Sequence, residues 1–302
     1  MFEPWVLFSI GGAFFQNLRS ALQKHLSSKL SNTAAAYTRF LYALPFSLLY
    51  LGFLHYLPDT RIPAVNISFV IYCITGSLTQ ILFTVFLLWM FTFKSFAVGT
   101  TFSKLEVVVV AILGALLLQD SLSLTAVAAV SICVAGVIAL TAGQTRITIR
   151  TFVSQLFSRN TLIGLICAFF LGASVVCFRG ASLALQHDDF FASAAMTLAF
   201  TLIIQTVMLG LWITWREPEQ WRKLFQQWRW ATVIGAAGAL ASICWFTAVT
   251  MQNAAFVRAV GTIELLFTYL FSTRVFKEKV SASEMLGMIL IVSGILLLLI
   301  KG

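Results

Sequence analysis

Ten stretches of roughly twenty apolar residues run through this chain, at 3–23, 34–55, 67–92, 95–118, 122–142, 161–185, 190–213, 230–251, 254–275 and 281–300. A bilayer hydrocarbon core of about 30 Å takes about 20 residues of helix to cross. In lipid every backbone N–H and C=O must be satisfied within its own segment, so each stretch is expected to be a membrane-spanning helix. Ten such spans take up about 200 residues of the 302 and leave no room for a soluble domain. With 60% hydrophobic and 10% charged residues, the composition lies far from that of a globular protein in water.

Five spans are followed by a polar break at 143–160 (GQTRITIRTFVSQLFSRN), and then by five more. The other long polar connection, WREPEQWRKLFQQWRW at 215–230, follows Trp212, and its own Trp215, Trp221, Trp228 and Trp230 are expected to lie with it at headgroup depth. No Lys or Arg precedes Arg19, so the first stretch reads as a retained span and not as a signal peptide. The five cysteines, Cys73, Cys133, Cys167, Cys177 and Cys244, lie inside apolar stretches without CxxC spacing. They read as packing residues, neither a disulfide frame nor a metal site.

The net charge of +9 is carried mostly by short loops, which points to membrane topology and lipid headgroups, not to nucleic acid. Twelve basic residues fall in the odd-numbered loops, against Arg61 and Lys301 in the even loops and the C-terminal tail. That asymmetry places the odd loops in the cytoplasm and both termini outside.

The second half repeats the first. At a shift of 158 residues SFAVGTTFSKLE (95–106) falls on NAAFVRAVGTIE (253–264), which brings Glu106 onto Glu264. The same shift brings Asp120 onto Glu278, Ser123 onto Ser281 and Gly136 onto Gly294. At a shift of 160, GAFFQNLR (12–19) meets GASVVCFR (172–179), and Arg19 meets Arg179. Five is odd, so the second copy enters the bilayer from the opposite face, and the halves are inverted repeats of the kind found in secondary transporters.

Each half ends in an acidic residue, a serine and a glycine-containing last span: DSLSLTAVAAVSICVAG (120–136) and EKVSASEMLGMILIVSG (278–294). With two five-helix units, the chain resembles tandem EamA domains of the drug/metabolite transporter superfamily. The resemblance covers nearly the whole chain. It implies an all-α membrane protein of ten helices, with one repeat over 1–142, a connecting loop over 143–160 and a second repeat over 161–302. It also implies a central cavity lined mainly by spans 1, 3, 4, 6, 8 and 9, and alternating access. For membrane orientation, eukaryotic relatives imply the reverse of the charge count.

Of eleven acidic residues, only Glu106 and Glu264 lie in the middle of spans. A carboxylate at that depth is costly unless paired or wetted, so such residues face a bundle interior, a cavity or an ion path. The two are expected to face one another across the cavity, as substrate or proton sites or as helix-locking salt bridges. Six basic residues also fall within or at the ends of spans: Arg19, Arg39, Lys104, Arg179, Arg258 and Arg274. Arg19 and Arg179, equivalent in the repeats, are candidates for receiving an anionic group. Arg39, Arg258 and Arg274 read as side chains snorkelling to the headgroups. Lys104 precedes Glu106 by two residues, about 200° around a helix, so the two cannot share a cavity wall. The third and eighth spans supply Gln80, Phe83 and Trp89, with Ser242 and Trp245 as counterparts of Gln80 and Phe83.

Hydrolase, zinc-protease and nucleotide-binding motifs are missing from the sequence, which speaks against an enzyme or an ATP-driven pump. The reading is a secondary transporter that exports small polar metabolites such as amino acids. Its substrate or proton site comprises Glu106, Glu264, Arg19, Arg179, Lys104, Gln80, Trp89 and Trp245, with no cofactor and no metal. Its partners are the small-molecule substrate, the lipid bilayer and protons as coupling ion, with no nucleic acid. It is a monomer or homodimer in a plasma membrane, the bacterial inner membrane. The alternatives are an organic-anion exchanger without proton coupling, and a non-transporting scaffold or lipid-pathway accessory protein.

Overall fold

A computed structural model of the chain describes residues 3–56, 63–93, 103, 105–118, 128, 132, 135, 159–278, 280 and 282–300. The described residues form helices and no strands. They run α1 (Pro4–Leu26), α2 (Asn32–His55), α3 (Ile67–Phe91), α4 (Glu106–Leu118), α5 (Arg159–Ala184), α6 (Phe190–Arg216), α7 (Gln220–Gln226), α8 (Trp228–Met251), α9 (Ala254–Val260), α10 (Glu264–Leu270) and α11 (Ala282–Ile300). A 3-10 turn over Gly261–Ile263 joins α9 to α10, and a π-helical turn over Phe271–Val275 follows α10.

Helix starts follow local chemistry. Pro4 opens α1 at a position where its missing N–H has no intrahelical partner to lose. Ser31 caps α2 by accepting from the Ala34 N–H, Asn66 caps α3 by accepting from the Phe69 N–H, and Asp189 caps α6 by accepting from the N–H groups of Phe191 and Ala192. The short connection after α1 turns the chain back into α2. Ser31 also donates a hydrogen bond to the Glu217 carboxylate beyond the end of α6. Lys24, in the last turn of α1, pairs with Glu278 beyond the end of the π turn. The ends of α1 and α6 and the start of α2 therefore share one end of the bundle, the Ser31 end. At the opposite end Asn66 donates to the Ala184 carbonyl at 2.5 Å, so α5 finishes where α3 begins. The repeat-equivalent helices α1 and α5 thus cross the bundle in opposite directions.

The two most extensive helix pairings are α3 with α5 and α1 with α8. Exchanging the halves turns one pairing into the other, because α1 corresponds to α5 and α3 to α8.

Among the described residues, five segments are long and apolar enough to cross a membrane: Ile67–Phe91, Leu162–Ala184, Phe190–Arg216, Trp228–Met251 and Ala254–Val275. The apolar helices Glu106–Leu118 and Met285–Gly294 are shorter. At 23 and 24 residues, α1 and α2 have the length to cross but are less apolar. The cause in α1 is a buried polar stripe along one helix face, Ser9 followed two turns later by Gln16, Asn17, Ser20 and Gln23. Its position is the reverse of that in a water-soluble helix, whose polar stripe faces out. Large apolar side chains such as Leu49, Ile67, Leu116 and Leu211 are exposed on the outer surface, where lipid meets them without penalty. Trp212, Trp215, Trp228 and Trp230 are exposed together at the Ser31 end, at the depth expected of an aromatic belt. The chain is a multi-pass membrane protein.

Candidate substrate-binding site

Five charged side chains are more than nine-tenths buried among the described residues: Arg19, Arg39, Arg258, Glu106 and Glu264. They gather around one internal cleft lined by residues of α1, α2, α3, α5, α8 and α9. Its walls include Gln16, Arg39, Gln80, Ser242, Trp245 and Arg258, and the apolar part comes from Leu171, Val175, Phe178, Phe246 and Val249. The cleft has a cavity volume of about 40 Å³, so it is narrow in this conformation. Phe178, Val249 and Arg258 are close to the Asn66 end of their helices, whereas none of the lining residues lies in the last turn of a helix at the Ser31 end. The cleft therefore extends from the middle of the bundle toward the Asn66 end.

Its charges are paired across the two halves. Arg258 Nη2 donates to Glu106 Oε2 at 2.6 Å, joining α9 to the first residue of α4. The Arg258 guanidinium also lies over the Trp245 ring, 4.4 Å from its centroid, a distance at which the ring quadrupole attracts a cation. Gln16 Nε2 donates to Glu264 Oε2 at 2.9 Å, joining α1 to α10. Neither carboxylate lines the cleft. Each stands behind a side chain that does, Glu106 behind Arg258 and Glu264 behind Gln16. The expectation that the two glutamates face one another across the cavity is corrected accordingly: a buried carboxylate needs a donor at hydrogen-bond distance, and each is turned toward one from the other half.

Arg39 and Arg258 are also corrected. Both had been expected to snorkel to the headgroups, yet both are buried at the cleft, and only Arg274 of the three is exposed near a helix end. The reason lies in the boundaries. The Ser31 cap starts α2 at Asn32, which carries Arg39 two turns into the bundle, and the start of α9 is itself packed against α1 and α4. Arg39 Nη1 donates to Thr84 Oγ1 at 3.0 Å. With the Gln80 amide oriented to satisfy its neighbours, Gln80 Oε1 accepts from Arg39 Nη1 and Nη2 at 2.7 and 2.8 Å, and its amide N donates to Ser174 at 2.6 Å. This Arg39–Gln80–Ser174 chain ties α2, α3 and α5 together. Ser174 carried no distinguishing signal in the sequence, and Arg39 only that of a basic residue in a span, because the roles of both depend on the rotation of three helices.

The remaining candidates are dispersed. Arg19 is buried behind Gly238, within electrostatic range of Glu264, and donates to Ser20 at 3.3 Å. Arg179, its repeat counterpart, is only half-buried on α5 and does not line the cleft. Trp89 is half-buried against Phe86 and Phe93, with ring centroids 6.1 and 5.9 Å away, and is likewise outside the lining. Lys104 lies outside the described residues. Of the α3 and α8 residues singled out in the sequence, Gln80, Ser242 and Trp245 are in the wall. Asn17 donates to Thr268 at 2.5 Å, and Asn253 caps α9 by accepting from the Ala255 N–H at 2.9 Å.

Trp245 is held by close approach. A Cβ added to Gly12 would meet its ring at 2.9 Å, and one added to Gly261 would press against its Cη2. A glycine from each half thus forms a slot for the indole, with Arg258 over its face.

No curated protein matches the chain. A solved structure described only as "Crystal structure of protein" is 15% identical, with a TM-score of 0.59, over 96% of this chain and 99% of that one, and shares the fold. The model of the EamA-like transporter family matches twice, over residues 3–142 and 159–300. Together with a helical membrane bundle in which repeat-equivalent helices exchange places, that double match means that the chain belongs to the EamA-like transporter family.

Proposed function

We propose that this protein is a secondary active transporter of small organic ions, amino acids among them, that works by alternating access between two inverted five-helix repeats, ten spans in all. The observation that carries this reading is the Glu106–Arg258 ion pair, which joins the two halves at the wall of the cleft. Rocking of one repeat against the other changes the environment of such a pair, and a ligand in the cleft touches one of its members. A ligand shifts the balance of two conformations only by binding them unequally, and a buried charge whose surroundings differ between them supplies that inequality. We assign the flux as export and the membrane as the bacterial inner membrane on the strength of the family resemblance, and place Glu106 and Glu264 as the candidates for proton coupling.

A second reading, an exchanger of organic anions without proton coupling, is favoured by one observation. Three guanidiniums, Arg19, Arg39 and Arg258, surround the cleft against two carboxylates. Counterflow in proteoliposomes tests both readings. Labelled amino acids and organic acids are preloaded, and exchange is followed with and without a pH gradient. Exchange lost in Glu106→Gln with protein yield retained supports the transport reading, and gradient dependence selects proton coupling over exchange. A protein that moves none of these solutes would overturn both.

A further inference from the structure

Two donors on neighbouring side chains of the cleft wall have no acceptor. Trp245 Nε1–H and Arg258 Nε–H are both buried, and neither has a hydrogen-bond partner. The residues that carry them line the cleft and are 8% and 3% exposed, and the Arg258 guanidinium lies over the Trp245 ring, 4.4 Å from its centroid. Buried N–H groups in folded proteins are nearly always satisfied, and each exception calls for a reason. Elsewhere the same wall is satisfied: Arg258 Nη2 is taken by Glu106, and Arg39 by Thr84 and Gln80. The charges point the same way. Among the described residues, three guanidiniums and two carboxylates are more than nine-tenths buried, which leaves one positive charge over. A surplus charge within a membrane bundle is costly until something neutralises it.

We propose that the cleft receives the carboxylate of a singly charged organic acid with a small apolar body, the carboxylate oxygens accepting from Trp245 Nε1–H and Arg258 Nε–H. This rests on the transport reading and names the substrate group that it leaves open. One carboxylate supplies two acceptors for the two donors and one negative charge for the surplus. The other walls, Leu171, Val175, Phe178, Phe246 and Val249, offer apolar contact to the rest of the ligand, with Phe178 and Phe246 stacked at 4.8 Å. A dianion would leave a charge against that apolar wall, and an organic cation would meet the surplus of its own sign.

The experiment is calorimetric titration of the full-length protein in detergent with 3-methylbutanoate and phenylacetate, each compared with its amide. The acids are expected to bind at least tenfold more tightly than the amides, because an amide keeps the shape and loses the charge. Trp245→Phe keeps an aromatic ring beside Gly12 and removes the N–H together with the far end of the indole, and Arg258→Lys keeps the charge facing Glu106 and removes the Nε–H. Each should weaken the acid about tenfold and the amide by less, because the amide offers one carbonyl acceptor without a charge. Equal binding of acid and amide, binding of neither, or an acid affinity unchanged in Trp245→Phe overturns the proposal. The transport reading fails separately. If the acids bind as expected but are not moved in proteoliposomes, transport is refuted and the carboxylate site stands. If a cation or neutral solute is moved and the acids neither bind nor compete, the carboxylate site is refuted and transport stands.

Discussion

Removing Glu106 isolates a charge. The Arg258 guanidinium is 3% exposed, and its Nη2 lies 2.6 Å from the carboxylate, so the two charge centres are about 4 Å apart. At an effective dielectric constant near 20 that attraction is about 4 kcal/mol. Losing one partner of a buried pair typically costs about 3–5 kcal/mol, because the other charge stays behind without water. Glu106→Ala should therefore destabilise the protein by about that amount, and Glu106→Gln, which keeps a hydrogen-bond acceptor, by less. At roughly 2 °C per kcal/mol for a chain of this size, the apparent Tm in detergent should fall by about 6–10 °C for the alanine variant. The informative variant is the double one, Glu106→Gln with Arg258→Gln, in which neither member of this pair is left charged. Its Tm should lie above the sum of the two single losses, with a coupling of about 1–3 kcal/mol. Additive single losses, or a Glu106→Ala protein that melts within 1–2 °C of the parent, would show that the pair is not a coupled unit, and the argument built on it would fail.

Other perturbations test other parts of the architecture. Gly12→Ala would place a Cβ 2.9 Å from the Trp245 ring and should cost about 1–3 kcal/mol in detergent melts, whereas Gly52→Ala, with nothing within 4 Å, should be neutral or slightly stabilising. Stability reduced equally by both would mean that the slot around Trp245 is not tight. Gln16→Ala removes a donor from Glu264 and should cost about 1–3 kcal/mol in the same melts, while Gln16→Glu, which sets two carboxylates against one another, should cost more. The reverse order would refute the contact. Lys24 and Glu278 are 16% and 20% exposed at the Ser31 end, beyond the cleft, where Lys24 also lies 4.5 Å from the centroid of the Phe276 ring. Lys24→Ala should therefore cost little stability, about 1 kcal/mol or less. It should, however, speed the reaction of a Ser20→Cys reporter, at a position 4% exposed, with a membrane-impermeant thiol reagent. Unchanged labelling would mean that this ion pair does not hold that end closed.

Much of this protein is legible in one dimension because lipid imposes a severe rule. Apolar runs of about twenty residues must be helices, and a carboxylate within one must turn inward. Those two constraints mark out the helical membrane bundle and the burial of Glu106 and Glu264 from sequence alone, and the residue matches between the halves add its duplication. They do not say which donor each acid meets, because the partner depends on how far every helix is rotated and how deeply it is inserted. Only the tertiary structure puts Arg258 on Glu106 and Gln16 on Glu264, each reaching from the other half. It also draws Arg39 inward onto Gln80, and leaves off the cleft both Arg179, named for its repeat position, and Trp89, named for its place on the third span. Spacing along a chain records the face of one helix, whereas a site between helices is a property of six of them packed together. Trp245 shows the difference: the sequence names it only as the counterpart of Phe83, and the fold makes it a wall of the cleft by seating it closely against Gly12 and Gly261, from opposite halves.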